Sequence, residues 1–573
     1  MLRRWQILVG VTVYFIIMTI IMTWPLAKYM SHSIVGTIGD NIYFIWLIEW
    51  FQKALFELHK SPLFVPFLNY PQGWYLAYTD ITPAMVLIGL PAGIIAGSTF
   101  GYNFAMLASF VLSGLGMYLW VYKLTKNNAA GIIAGTAFAF LPYRMAHFLI
   151  GHLNLVGTQW FPFYFWGLTD LIYQNKFSWK PILLASVSLG LIGLTSIYYL
   201  YMTVLVSVAF ILGALILVNR GLIRDMQFWK RLTFFVLISV PLIGIAIFPY
   251  LQIYRSGGMP SRPISYVSQF SASPTDFVLP STLHFLVGQW VQDHFDRSMW
   301  VEGTLYLGII VSGLALLAFI FQRKLPQRGL VNLLVWSGFF AFVLALGTDL
   351  HWLGHPIERV PEFISRWLSR PDATIPLPGY FLFKFLPFYA KMRVWMRFGI
   401  FVFVFADALA GIGIAWLCTR VRPRWRFALC LGLLVLVIID FYSTPFKEFS
   451  RIESRPIDTW LAMQPGKGAV VQFPFELVED QEQVYYTLTY NKPFVGGFFN
   501  AFPPEQYQRI RPILSNFPDL ESIDLLKELG VEYILVDSSY YSDFNQTHVT
   551  IESFGLHLLT VIDSQYVYGF PEK

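Results

Sequence analysis

The chain has 573 residues, of which 56% are hydrophobic and 13% are charged, and its formal net charge is +6. Soluble domains carry about a quarter of charged residues because their surfaces face water, so this composition excludes an ordinary soluble protein. The basic residues form short clusters between apolar segments, which indicates cytoplasmic membrane loops and not binding to nucleic acid. Cys418 and Cys430 have a spacing that indicates neither a metal site nor a disulfide framework.

A series of nearly uncharged segments is long enough to form membrane helices. The first, from Ile7 to Trp24, is interpreted as a retained helix because no small-residue cleavage site of a signal peptide follows it. The later segments are approximately 81–98, 100–122, 129–148, 152–173, 181–197, 199–218, 232–249, 304–321, 330–347, 394–418 and 427–442.

The basic clusters between these segments predict the topology, because cytoplasmic loops carry an excess of lysine and arginine. An odd number of apolar segments separates Arg4 from Lys123, although both should lie inside. Segment 81–98 contains Pro83 and Pro91, so we predict that it is re-entrant or only partly inserted. About eleven crossings then remain, and the C-terminus lies outside the cytoplasm.

The predicted fold is therefore an α-helical polytopic membrane protein with a C-terminal extracytoplasmic α/β domain. Residues 1–442 form the membrane domain, with a large first outer loop at 25–80, and residues 443–573 form the second domain. Within this tail, residues 468–475 and 531–537 have the pattern of strands, whereas 503–514 and 520–529 have the pattern of helices. The expected location is the plasma membrane, with the outer loops as the working face.

Asp40 is the first candidate for catalysis. It lies just past the first membrane helix, where a carboxylate could act as a general base or help to hold a divalent metal. Asp80, before segment 81–98, is a candidate second carboxylate of the same pocket. For both residues the alternative is a helix cap. Between them, residues 41–58 have the pattern of an amphipathic helix, which could lie at the membrane surface, pack on its own bundle, or do both.

A corner between two apolar segments concentrates polar side chains that could bind substrate. Ionisable groups near a membrane edge usually face a cavity or a headgroup, so these residues could bind a phosphate or a metal. The alternative is that they extend toward the membrane interface. The residues are Arg144, His147, His152 and Asn154.

A second basic cluster is predicted to lie outside, against the usual charge distribution. Its members are Lys391, Arg393 and Arg397, and Glu302 lies at the outer end of another apolar segment. Arginines bind phosphates through paired hydrogen bonds, and two arginines four residues apart on a helix face the same way. The alternative is that they pair with Glu302 or with anionic lipid headgroups.

Four motifs together resemble the GT-C superfamily of polytopic membrane glycosyltransferases, and in particular bacterial members related to the protein O-mannosyltransferase-like group. The motifs are Gly39-Asp40, Gly151-His152-Leu153-Asn154, Pro387 with Met392-Arg393-Val394 and Arg397-Phe398, and Leu529 to Val536.

The resemblance implies a transferase that takes a sugar from a polyprenyl-phosphate donor. It implies a catalytic or metal-associated role for Asp40, with Mg²⁺ or Mn²⁺ as the candidate metal, and a lipid-phosphate role for Arg393 and Arg397. The acceptor would be a lipid, glycan or protein in contact with membrane lipids. The chain departs from several branches because its first loop has one aspartate in place of paired acids.

Two alternatives come from other classes of protein. A transporter of lipid or polysaccharide should show internal repeats and charges at mid-membrane, and neither pattern is clear in this sequence. A non-catalytic protein of envelope assembly would be favoured if Asp40 served as a buried cap.

Overall fold

The computed structural model describes residues 4–174, 176–255, 257–357, 374–443, 445–497 and 503–571. Most of the described residues lie in helices. The α-helices are Arg4–Met22, Asp40–Gln52, Pro83–Ala96, Ser98–Thr125, Asn128–Ala139, Pro142–Leu149, Leu153–Val156, Trp160–Tyr173, Trp179–Thr195, Ile197–Gly213, Met226–Arg255, Ile264–Ser268, Gly288–His294, Ile309–Ile320, Arg328–Ala345, Pro378–Phe385, Gly399–Arg420, Pro423–Phe441, Pro456–Met463, Leu477–Tyr490, Glu505–Leu514, Leu520–Glu528 and Phe544–Ser553.

Several of these helices are long and apolar enough to cross a membrane, so the chain is a multi-pass membrane protein. The spans are Trp5–Met22, Ser98–Thr125, Asn128–Leu149, Ile197–Val218, Met226–Arg255, Arg328–Ala345 and Met396–Arg420.

Segment 81–98 forms the helix Pro83–Ala96, which has 14 residues. At 1.5 Å per residue this helix is about 21 Å long, which is less than the roughly 30 Å of a hydrocarbon core. Its predicted partial insertion stays a prediction.

The chain forms two compact units. The first comprises Met1–Lys28, Met106–Ile247 and Pro260–Lys447, and the second comprises Tyr29–Ala105, Phe248–Met259 and Glu448–Lys573. The first outer loop and the C-terminal tail, which are far apart in sequence, therefore belong to the same unit.

The first unit is organised around the helix Gly399–Arg420, which packs against Ile309–Ile320, Arg328–Ala345 and Asn128–Ala139. Several of its aromatic side chains pack edge to face, and the ring centroids of Phe165 and Phe405 are 4.8 Å apart. Such ring pairs add to the stabilisation from buried area.

Glycine lets two of these helices approach closely. A Cβ atom added at Gly413 would lie 2.1 Å from the carbonyl oxygen of Leu314 on the neighbouring helix. Small residues at helix crossings are typical of membrane proteins, where close packing of backbones drives helix association.

The second unit contains the first-loop helix, Asp40–Gln52. Between Asn41 and Phe51 every side chain is buried except that of Glu49, which is half-buried. A helix that is buried all round packs inside the protein, as the packed alternative predicted. Leu55, Phe56 and Leu58, which follow this helix, are exposed, so contact of this end with the membrane surface stays a prediction.

A short antiparallel ladder connects the first loop to the tail within the second unit. Ser33–Val35 pairs with Phe449–Arg451. The side chain of Asn103 supports this ladder, because its amide donates hydrogen bonds of 2.9 Å to the carbonyl oxygens of Met30 and Ser33.

The tail contributes a four-stranded sheet. Ala469–Phe473 pairs in parallel with Val531–Asp537, which pairs antiparallel with Gln565–Gly569, and His557–Ile562 forms the other edge. The strands predicted at 468–475 and 531–537 are confirmed. Two-residue ladders also form elsewhere in the described chain, between Phe64–Val65 and Trp74–Tyr75 and between His351–Trp352 and His355–Pro356.

The helix Leu520–Glu528 shows how local sequence determines an element of the tail. Asp519 caps its start, since its Oδ1 accepts a 2.8 Å hydrogen bond from the amide of Ser522. Gly530 follows its end with a φ of +67°, a conformation that glycine adopts without strain. The predicted helix at 520–529 and its glycine stop are confirmed, as is the helix predicted at 503–514, observed as Glu505–Leu514.

Candidate active site

Asp40 is the first residue of the first-loop helix and does not cap it. The N-cap is Gly39, and no side chain there makes a capping hydrogen bond. Asn41 provides the local contacts instead, since its Oδ1 accepts from the Gly39 amide at 2.9 Å and its Nδ2 donates to the Thr37 carbonyl at 2.8 Å. The cap alternative for Asp40 is therefore wrong. A negative charge in the first turn is stabilised by the helix dipole.

The tail supplies a partner for this carboxylate. Gln481 donates a 3.1 Å hydrogen bond from its amide nitrogen to Asp40 Oδ1. Gln481 lies on the tail helix, Leu477–Tyr490, which packs against the first-loop helix. Asn491, just beyond its other end, accepts a hydrogen bond from Lys53. The two helices thus run in the same direction, and Asp40 is held from a second segment that sequence reasoning missed.

Tyr43, on the first-loop helix that begins at Asp40, makes a hydrogen bond to Asp80. The Tyr43 hydroxyl donates a 3.1 Å hydrogen bond to the backbone carbonyl of Asp80. Burial raises the pKa of Tyr43 well above its ordinary value, and the charges of Tyr250, Asp80 and Asp40 raise it further. Thr82, and not Asp80, is the N-cap of the following helix, so the cap alternative for Asp80 is also wrong.

Arg144 is fully buried in the first unit, and its guanidinium is used for internal hydrogen bonds. It donates to the carbonyl of Val156 at 3.0 Å, to that of Ala139 at 2.5 Å and to the hydroxyl of Ser109 at 2.8 Å. Its charge also lies 4.3 Å from the ring centre of Phe110. These contacts join the ends of neighbouring helices, so Arg144 has a structural environment and not that of a phosphate ligand.

Glu302 and Arg397 form a buried ion pair. Arg397 donates to both carboxylate oxygens of Glu302, with distances of 2.5 Å from its Nη2 and 3.1 Å from its Nε. Burial alone would raise the pKa of Glu302, but the charge and hydrogen bond of Arg397, together with the charges of His147 and His152, outweigh burial and lower that pKa to about 2. The alternative predicted from the sequence, that Arg397 pairs with Glu302, is therefore confirmed.

Two histidines extend this pair. His147 Nε2 is 3.6 Å from Glu302 Oε2, and the Nδ1 atoms of His147 and His152 are 2.8 Å apart. Asn154 is buried in the adjoining turn Leu153–Val156. The polar corner and the two distant segments that carry Glu302 and Arg397 therefore meet in one network within the first unit.

Arg393 lies outside any helix, so the prediction that Arg393 and Arg397 face the same way on one helix is wrong. It falls between the short turns Tyr389–Lys391 and Met396–Phe398, and it donates a 3.1 Å hydrogen bond to the hydroxyl of Tyr266. Its guanidinium lies 5.0 Å from the ring centre of Phe270.

Arg262 joins this basic cluster. Its guanidinium lies 5.8 Å from the ring centre of Tyr266, and its amide donates to the carbonyl of Ala390, next to Lys391. Arg262, Lys391 and Arg393 thus come from two loops that approach one another. The sequence carried a signal for Arg262, since it is another basic residue in a loop predicted to lie outside.

No group of three or more histidine, cysteine, aspartate or glutamate side chains in the described ranges is placed to hold a metal ion. Mg²⁺ is usually held by only one or two carboxylates, so a role of Asp40 in holding Mg²⁺ or Mn²⁺ stays a prediction, and no chemical step is assigned to a metal.

Solved structures with the same fold are glycosyltransferases. The arabinofuranosyltransferase AftD from mycobacteria matches with a TM-score of 0.59 and 15% identity over 100% of this chain and 40% of AftD. An oligosaccharyltransferase from Archaeoglobus fulgidus matches with a TM-score of 0.52 and 13% identity over 99% of this chain and 74% of that chain. The chain has the GT-C fold.

The chain spans about two fifths of the length of AftD, since the match covers 40% of that protein. No curated protein sequence matches this chain. A family model described as a domain of unknown function, DUF6311, matches residues 7–370, which is more than half of the sequence, and the chain therefore belongs to the DUF6311 family.

Proposed function

We propose that this protein is a membrane glycosyltransferase that moves a sugar from a polyprenyl-phosphate donor to a hydroxyl of an extracytoplasmic lipid, glycan or protein. The observation that carries the proposal is Asp40. Its carboxylate lies at the start of the first-loop helix of a GT-C fold, where it does not cap the helix and accepts a hydrogen bond from Gln481. A positioned carboxylate is what general-base catalysis requires.

The reaction is a single displacement at the anomeric carbon of the donor sugar. Asp40 takes the proton of the acceptor hydroxyl as the hydroxyl oxygen forms a bond to that carbon. The bond between the carbon and the phosphate oxygen breaks, and polyprenyl phosphate leaves with the bonding electron pair. Attack from the face opposite the leaving group inverts the configuration of the sugar.

The leaving phosphate is assigned to Arg393, with Arg262 and Lys391 beside it. Arg393 is held by Tyr266 and Phe270 and is half-buried, which favours short, charge-assisted hydrogen bonds to a phosphate. Arg397 is the weaker candidate because the carboxylate of Glu302 already neutralises it. We assign the Glu302–Arg397 pair to positioning the surrounding loops.

The remaining predicted site residues receive narrower roles in this proposal. Asp80 is assigned to positioning the first-loop helix, because its backbone carbonyl accepts the hydrogen bond of Tyr43. His152 is half-buried and is assigned to substrate binding, whereas His147 and Asn154 are buried supports for it. Arg144 is removed from the set of phosphate ligands.

We also propose the membrane topology that the basic clusters predict. About eleven crossings, a membrane domain at 1–442 and an extracytoplasmic α/β domain at 443–573 would place the first loop and the tail on the outer side of the plasma membrane. In the described part of the chain, seven of the proposed crossing segments contain a helix that is long and apolar enough to span a membrane, which supports the proposal.

The test is release of polyprenyl phosphate from a panel of polyprenyl-phosphate sugars by the purified protein in lipid nanodiscs. Asp40→Asn preserves the size of the side chain and removes the base, so turnover should fall by about 10²- to 10⁴-fold. Asp524→Asn is the matched control, since Asp524 is an exposed carboxylate of the same unit that pairs with Lys527.

Turnover that survives Asp40→Asn would retain the transferase and exclude Asp40 as its base. Absence of turnover with every donor, in protein that unfolds cooperatively, would contradict the proposal and favour the transporter or the envelope-assembly alternative. No contact described above favours either alternative at present.

A further inference from the structure

The second unit contains a polar cavity at the end of the first-loop helix that is remote from Asp40. Its volume is about 410 Å³, and its polar lining comes from three segments: Glu49, Gln52, Lys53, Glu57, Ser98 and Asn491. Ligand pockets typically enclose about 300–1,000 Å³, so the volume suits a small ligand group. Asp40 and Glu49 are nine residues apart, or about 13 Å along the helix axis, so the cavity is separate from the proposed base.

Side chains from distant segments build this cavity. Ser98 donates a 2.8 Å hydrogen bond to Glu49 Oε2, and Lys53 donates to Asn491 Oδ1. These contacts bring the first-loop helix together with the start of the helix Ser98–Thr125 and with the end of the tail helix. The cavity is therefore a feature of the folded unit and not of one exposed segment.

The lining is rich in hydrogen-bonding groups and carries a net negative charge. Glu49 and Glu57 accept hydrogen bonds, Lys53 donates them, and the amides of Gln52 and Asn491 do both. Two carboxylates against one ammonium group disfavour a phosphate, because like charges repel. Many donors and acceptors without a net positive charge suit a neutral group that carries several hydroxyls.

Apolar side chains lie exposed beside the cavity. Ile94 is part of the lining and is 51% exposed, and Phe56, next to the lining residue Glu57, is 57% exposed. In a multi-pass membrane protein, large exposed apolar side chains are expected where lipid is in contact. A ligand that enters this cavity can thus keep an apolar anchor on the adjoining surface.

We propose that this cavity is a binding site for the carbohydrate part of a membrane-anchored acceptor. The proposal rests on the proposed glycosyl transfer, and it specifies the acceptor as a glycolipid whose sugar part binds away from the reacting hydroxyl. The donor is excluded from this cavity by its phosphate.

The experiment compares two photoreactive probes with the full-length protein in nanodiscs. One is an alkyl glycoside with a diazirine in its chain, and the other is an alkyl phosphate with the same chain and diazirine. After irradiation, mass spectrometry locates the labelled peptides. We expect the glycoside, and not the phosphate, to label the peptides that contain Phe56, Ile94 and Leu488.

Two variants of adjacent residues provide a matched pair. Ile94→Trp fills the mouth of the cavity and should abolish glycoside labelling, whereas Ile95→Trp, at an exposed position outside the lining, should leave it unchanged. In the transfer assay, Ile94→Trp should raise the KM for a glycolipid acceptor by about tenfold without changing kcat, because it removes binding remote from the chemical step.

Equal labelling in both variants, or equal labelling by both probes, would overturn the site. Specific glycoside labelling in a protein that shows no turnover would support the site and contradict glycosyl transfer. Turnover without specific labelling would contradict the site and leave the proposed transferase intact.

Discussion

The Glu302–Arg397 pair gives a direct test of the buried network. Glu302→Gln keeps the shape of the side chain but leaves the Arg397 guanidinium buried without a carboxylate. The pKa of Glu302 falls from 4.5 to about 2 in the folded protein. That difference corresponds to about 3 kcal/mol, in agreement with the roughly 3–5 kcal/mol measured when one partner of a buried pair is removed.

The assay is unfolding in mixed micelles followed by tryptophan fluorescence, which gives the free energy of unfolding of each variant. Glu453→Gln is the control, because Glu453 pairs with Arg451 at the surface and both side chains are more than half exposed. Exposed pairs contribute about 0–1 kcal/mol, so this control should change little. The double variant of Glu302→Gln with Arg397→Met should recover part of the loss, since it removes both buried charges.

The stability of the folded protein should also depend on pH through Glu302, and it should decrease on acidification. Because the pKa of Glu302 is lower in the folded than in the unfolded chain, the pair contributes fully above pH 4.5 and its contribution disappears as the pH falls toward 2. Wild type should lose this contribution on acidification, and Glu302→Gln should lack it. A loss below about 1 kcal/mol for Glu302→Gln, or a double variant less stable than the single one, would refute the assignment of a buried ion pair.

Three further predictions concern the candidate site and the packing around it. Arg393→Ala should raise the KM for a polyprenyl-phosphate donor by about tenfold, whereas Tyr266→Phe, which removes one hydrogen bond to that arginine, should have a smaller effect in the same steady-state assay. Gln481→Ala should lower kcat by about tenfold and shift the acidic limb of the pH–rate profile, and Gln481→Glu should not restore activity, because a carboxylate repels Asp40. Gly101→Ala should destabilise the protein by about 1–3 kcal/mol, because its Cβ would lie 2.8 Å from the Gly89 carbonyl oxygen, whereas Gly10→Ala meets nothing within 4 Å and should be neutral.

The elements of the chain were largely predictable from its sequence, because they depend on local patterns. Apolar segments predicted where helices form, and alternation predicted the strand Val531–Asp537 between helix and turn signals. The first-loop helix was predicted as well, with packing on its own bundle as one of two compatible interpretations. The polar face of the predicted amphipathic helix lines a cavity in the structure, and its residues are Glu49, Gln52, Lys53 and Glu57.

The candidate site was predictable residue by residue but not in its pairings. Asp40, Glu302 and Arg397 were identified from charge and position alone. Charge and position did not distinguish a phosphate ligand from an internal partner, so both remained open for Arg397, and a phosphate or the membrane interface for Arg144. In the structure both arginines bind protein groups. Gln481 was missed because a single polar residue on a tail helix carries no signal of its own.

The sequence by itself determined that this is a membrane protein, that helices form in its apolar segments, and that its first loop carries a carboxylate. Only the tertiary structure decided which polar side chains contact one another. Glu302 and Arg397 are 95 residues apart in the chain, and Asp40 and Gln481 are 441 apart. Contacts of such separation depend on how distant helices pack, and packing is a property of the whole fold that no local pattern encodes.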